Sequence, residues 1–128
     1  MAKARAGIDW QIGLIDIDRD TEFSGDDVDR YSSLVDLGRE CSGVIIRLPA
    51  MTSSAINIYV QASSTVATIP VALHYRQSSD DATAVWATTA STGSLAIHCN
   101  WLGAIRYIRI YAAVNQAADR SISILGTV

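Results

Sequence analysis

Beyond about residue 34, turn-forming residues cut the chain into short runs, and within those runs apolar side chains recur at every second place. This two-residue rhythm belongs to strands with one buried face, because successive side chains of an extended chain point to opposite sides. Runs rich in Val, Ile, Tyr and Thr cover 44–48, 56–62, 69–76, 84–89, 94–101, 107–114 and 121–125, with a further one at 33–37. The separators PAMTSS, SSTVAT, QSSDDAT, ASTG, LGA and NQAADR have the composition of turns. Seven or eight half-buried strands in so short a stretch predict an all-β, antiparallel two-sheet sandwich. A jelly roll is the first expectation and an immunoglobulin-like sandwich the alternative. No long helical period occurs; GDDVDRYSSL predicts a turn or two.

Alternation also assigns faces. Ile56, Ile58 and Val60 should face the core, with Asn57, Tyr59 and Gln61 opposite. Ile69, Val71, Leu73 and Tyr75 should do the same, as should Trp86 and Trp101 in their strands. In YIRIYAAV, Ile108, Ile110, Ala112 and Val114 are expected inside, which leaves Tyr107, Arg109 and Tyr111 on the outer surface with Arg106 beside them.

The first 32 residues differ in kind and are expected to form an extended acidic arm preceding a β-sandwich domain over 33–128. Between Asp9 and Asp36 nine acids stand against Arg19 and Arg30, a local charge of −7, while the remainder carries +4 within a total of −3. Complementary halves suit an acidic segment lying on a basic surface, its own or a neighbour's. GIDWQIGLIDID alternates like a short strand and offers Trp10, Ile12, Leu14 and Ile17 as apolar anchors. The arm is therefore expected to make subunit contacts through Trp10, Ile12, Leu14, Asp16, Asp18 and Asp20, and Tyr107, Arg109 and Tyr111 are a second candidate interface. The alternatives for those three are a Tyr–Arg–Tyr ladder packed within its own sheet and a stacking platform for a sugar ring.

The chemical motifs are sparse. Aligned as a calcium loop, the stretch starting at Asp16 supplies oxygens at alternate places, but Thr21 stands where the sharp turn needs Gly and Asp27 where a bidentate Glu is needed. Crowded carboxylates on one polar segment also lack the contrasting environments of an acid–base pair. His74 and His98 fall on outward parity and would need neighbouring strands, with Asp80 or Asp81, to bind a metal. His98 and Cys99 are adjacent on a strand and so aimed apart, and no nucleophile elbow, phosphate loop or dinucleotide fingerprint occurs. The expectation is a protein without catalytic residues, metal site or cofactor. Cys41 and Cys99 are expected as two buried thiols.

Charged residues make up only 18% of the chain and mean hydropathy is +0.20, so part of the surface should be covered by another subunit. Basic residues outside the arm are scattered, which argues against direct nucleic-acid contact. No run reaches the ~20 apolar residues of a membrane span, and the N-terminus lacks a leader's apolar stretch; a soluble, unprocessed protein is expected.

The run LGAIRYIRIYAAVNQAADRSISILG resembles a group of small proteins encoded in the structural-gene regions of tailed bacteriophages and prophages, in which a RYIRI strand precedes an NQAADR turn and a SISIL-like strand. GVIIRLPA and INIYVQASS are similar in order and spacing to the same group, so the resemblance covers roughly residues 34–125 and not the acidic N-terminus. It implies a virion component made in the host cytoplasm, best placed as a decoration or cement protein on the capsid surface. Its partners would be the major capsid protein or other virion subunits, and its own copies in a homo-oligomer such as a trimer. A carbohydrate-binding module and a tail or connector subunit are the alternatives. In the NQAADR turn, Asn115 and Asp119 are expected to bond nearby backbone amides, with Arg120 pairing with Asp119 or a carbonyl.

Overall fold

A computed structural model describes residues 9–24, 27–52, 54–72, 74–76, 83–85, 87–90 and 95–128, with side chains for 9–24, 27–52, 55–71 and 104–128. The described residues are all-β: β1 (Gln11–Ile15), β2 (Val35–Leu48), β3 (Ser54–Gln61), β4 (Val71–Ala72), β5 (His74–Arg76), β6 (Thr83–Val85), β7 (Ala87–Ala90), β8 (Leu95–Ala112) and β9 (Arg120–Thr127). One antiparallel sheet runs β1-β9-β2-β8-β3-β4, with β7 also pairing β3, and β5 and β6 form a separate pair. In place of helix there is a single turn, closed by the Arg30 and Tyr31 N–H groups donating to the Asp27 carbonyl.

Two strands are longer than the sequence rhythm implied. The runs at 33–37 and 44–48 merge into β2, and those at 94–101 and 107–114 merge into β8. LGA was expected as a turn; it lies inside β8, where the β2–β8 register slips between the pairs Cys41↔Ile105 and Gly43↔Asn100. A second slip separates Asp36↔Tyr107 from Cys41↔Ile105, so residues are inserted first in one strand and then in the other. Gly38, at φ 89°, supplies a left-handed conformation there. Extra residues in one partner bend a strand and increase its twist without ending it, which is how a glycine-containing interruption can lie within a strand.

The bend lets β2 serve two neighbours. Its second half pairs with β9, whereas its approach, at Ser33, exchanges hydrogen bonds with Leu14 of β1: Ser33 N–H donates to the Leu14 carbonyl (2.8 Å) and Leu14 N–H to Ser33 Oγ (3.1 Å). β1 is thus bonded on both sides. The approach is close: a Cβ on Gly13 would lie 3.0 Å from Val35 Cγ2, and one on Gly126 of β9 would lie 2.5 Å from Cys41 Sγ.

One buried cluster gathers Ile15, Val35, Leu37, Val44, Ile46, Ile56, Ile58, Ile108, Ile110, Ile122 and Ile124 from β1, β2, β3, β8 and β9, all at 2% exposure or less. Alternation therefore located the inner face of β3 and β8 correctly for Ile56, Ile58, Ile108, Ile110 and Ala112. It misplaced Val114, which lies past the end of β8 and is exposed. It also misplaced Ile69 and Val71, which are 60% and 64% exposed. Pro70 carries no N–H for a ladder, and within the run expected over 69–76 the described residues form β4, paired with Tyr59 and Val60, and β5, paired with β6. Leu73 and Trp86 lie outside the described residues, as do the side chains of Tyr75 and Trp101.

Candidate functional site: an arginine socket beneath the acidic segment

β8 places Tyr107, Arg109 and Tyr111 away from the core, opposite Gln61, Tyr59 and Asn57 of β3. That outer face does not meet solvent at its centre. Arg109 is fully buried, because Glu22, Phe23, Ser32 and the 62–70 loop close over it. Its expected position on an exposed surface is thus corrected: alternation set the direction of the side chain, and a segment remote in sequence covers it.

Arg109 is held on all sides. Nε donates to Gln61 Oε1 (2.7 Å), Nη1 to the Ser32 carbonyl (3.0 Å) and Nη2 to the Val66 carbonyl (3.0 Å). Nη2 also pairs with Glu22 Oε2 at 2.8 Å, and the guanidinium lies 4.9 Å from the centre of the Phe23 ring. Gln61 is oriented in turn, its amide nitrogen donating to the Ser63 and Thr65 carbonyls. A buried guanidinium needs a counter-charge and satisfied donors, and here an acidic residue and its aromatic neighbour provide charge and cover together.

The remaining outer-face aromatics pack around Tyr31. Its ring meets Phe23 and Tyr59 edge-on, both at 5.3 Å, and Tyr111 at 4.6 Å, while Tyr59 and Tyr111 are 5.2 Å apart. Tyr31 also bridges Tyr111 through the backbone, and Arg30 donates to the Tyr111 hydroxyl (3.3 Å) and to Asn115 Oδ1 (2.7 Å) while pairing with Asp27. The Tyr111 hydrogen bond, ahead of the nearby carboxylates, raises the Arg30 pKa.

The other acids are spread. Asp16 accepts the Asp18 N–H in an Asx turn, Glu22 also pairs with Arg19, and Asp18 and Asp20 are exposed. Among the described residues no three His, Cys, Asp or Glu side chains are grouped to hold a metal ion. The side chains of His74, His98 and Cys99, together with Asp26, Asp80 and Asp81, lie outside those described. Cys41 is buried and its thiol donates to the Arg39 carbonyl (3.3 Å); burial pushes its pKa up. Of the apolar anchors, Trp10 is 46% and Ile12 55% exposed, and Leu14 is half-buried.

Tyr107 lies at the edge of this arrangement. It borders an open groove of about 410 Å³ beside the bulges, with Glu40, Gln61 and Arg106 among the lining residues. Arg106 stacks over the Tyr107 ring at 5.3 Å and forms a two-pronged pair with Asp36 (2.8 and 3.1 Å). That pair, and then the Gly38 N–H, holds the Asp36 carboxyl below its usual range.

The NQAADR turn is organised by a residue that the sequence reading passed over. Gln116, 4% exposed, accepts from Thr52 N–H and Arg120 Nε and donates to the Val114 carbonyl. Asn115 and Asp119 reach further than the local amides expected of them: Asn115 receives Arg30, and Asp119 Oδ1 receives the Ile17 N–H. A long polar side chain in a turn was the available signal, since such a group becomes buried only with all its hydrogen bonds met.

Compared with known families, curated proteins and solved structures, the chain matches none. What the described residues assemble is a clamp: donors and rings converge on a peptide segment.

Proposed function

We propose that the chain is a non-enzymatic structural subunit of a tailed-bacteriophage particle, seated as a homo-oligomeric decoration protein on the capsid shell. The observation that carries this reading is the set of large apolar side chains left at the surface, Trp10 and Ile12 on the β1 side and Val66, Ile69 and Val71 beside β4, each about half exposed or more. Such side chains on a protein poor in charge suit burial against other subunits. The likeness of the 34–125 region to phage structural proteins supplies the kind of particle.

The bent β2 and β8, the Leu14–Ser33 bonds and the shared cluster fit a sheet doubled over into a jelly-roll-like sandwich, with the acidic segment as its strap. The test is an electron-microscopy map of particles reconstituted with the purified protein. Ordered density at capsid lattice points is expected; a monomer that neither binds heads nor appears on them contradicts the reading, and density on the tail moves it to a connector role.

The carbohydrate-binding alternative rests on the open groove that Tyr107 borders. Glycan-array binding abolished by Tyr107→Ala would favour it.

A further inference from the structure

We propose that residues 9–23 are an exchangeable element, so that in the oligomer the Arg109 socket of one copy is filled by Glu22 and Phe23 of a second copy. This rests on the assembly reading above. The segment is contiguous and is followed in sequence by residues 24–26. Among the described residues it meets the body at positions after those three: β1 on β9, Leu14 on Ser33, Ile17 on Asp119, Phe23 on Tyr31, and Glu22 with Phe23 on Arg109. The Arg19 contacts with Leu14 and Glu22 are internal to it. Every one of these interactions is reproduced if the element docks on an identical body, which is the condition for low-cost exchange between protomers.

The socket is selective for its occupant. A segment without a carboxylate would leave Arg109 buried against carbonyls and an amide, with no counter-charge, and a segment without a ring would leave the guanidinium uncovered. Five acids and a single arginine leave 9–23 negative, and Glu22 meets Arg109 on β8. Docking in its own body leaves Trp10 and Ile12, on and beside β1, largely exposed.

The test uses the full chain with Ile12→Cys and Ser123→Cys, surface positions directly opposed in the β1–β9 register. After oxidation, a denaturing non-reducing gel should show most of the chain as covalent dimer or larger rings, whereas an internally linked monomer overturns exchange. If neither link forms, E22R and R109E chains are mixed. Exchange predicts that the mixture gains oligomer and melting temperature over either variant alone, because each socket then meets an opposite charge; no gain, with the E22R/R109E chain folding by itself, overturns it. Light scattering on the wild-type chain separates the two claims: an oligomer with internal links keeps the assembly reading and loses exchange, and a monomer loses both.

Discussion

Between Tyr107 and Ala112, β8 is covered on both sides by different means. On one side Ile108, Ile110 and Ala112 enter an aliphatic cluster drawn from five strands, with no polar group to satisfy. On the other, Arg109 is equally buried, but under a guanidinium–carboxylate pair, three hydrogen bonds and a ring of tyrosines. Apolar burial is tolerant of what it contacts, provided volume is kept. A buried charge is not: it accepts one arrangement and penalises the others. The inner face therefore gives the sheet its stability, and the outer face fixes where the acidic segment lies.

Removing residues 1–30 should separate the two faces most sharply. Read as an arm alone, the segment could be cut away to leave a folded sandwich; the structure shows it supplying β1, bonded on two sides, and the Glu22–Phe23 cover of Arg109. The truncated chain is expected to lose cooperative thermal unfolding, since the loss is of the order of a domain's whole stability of ~5–15 kcal/mol. A truncated chain with an intact, sharp transition would make the segment an accessory.

On the inner face, Ile110→Ala should cost about 2–5 kcal/mol in denaturant titration, through lost burial and a residual cavity. Gly126→Ala should cost about 1–3 kcal/mol, because its Cβ meets Cys41 Sγ, and Cys41→Ala in the same chain should return part of that loss. Additive effects of the two substitutions would mean that β9 and the bulge of β2 do not touch.

The smallest effect belongs to the exposed Asp36–Arg106 pair. Because the folded carboxyl titrates below its unfolded value, its stabilisation is present above the unfolded pKa and is lost as pH falls through the folded one. Asp36→Asn should flatten that acidic limb slightly and leave neutral-pH stability nearly unchanged, as solvent screens the pair. An Asp36→Asn chain whose acid limb overlays the wild type would show that the pair contributes nothing.

The contrast between faces also marks what was legible in sequence. Period-two patterning located Ile56, Ile58, Ile108 and Ile110 because burial of one strand face leaves a local record. It could not tell that the opposite face is covered, since that depends on Glu22 and Phe23, more than eighty residues before Arg109. A trace of it was present: the single phenylalanine of the chain stands inside its most acidic stretch, where a solvated tail has no use for one. LGA read as a turn because glycine marks bulges and turns alike, and only pairing with β2 distinguishes them. Likewise Ile69 and Val71 alternate like core residues, yet both are exposed on either side of Pro70, which has no N–H to give a ladder.

The strap is tested most directly by a double-mutant cycle on unfolding free energy with Glu22→Gln, Arg109→Met and the two combined. The docked segment predicts a coupling of about 1–3 kcal/mol between positions 22 and 109. Strictly additive losses would mean that Glu22 does not occupy the socket, and the outer face of β8 would have to be covered by something else.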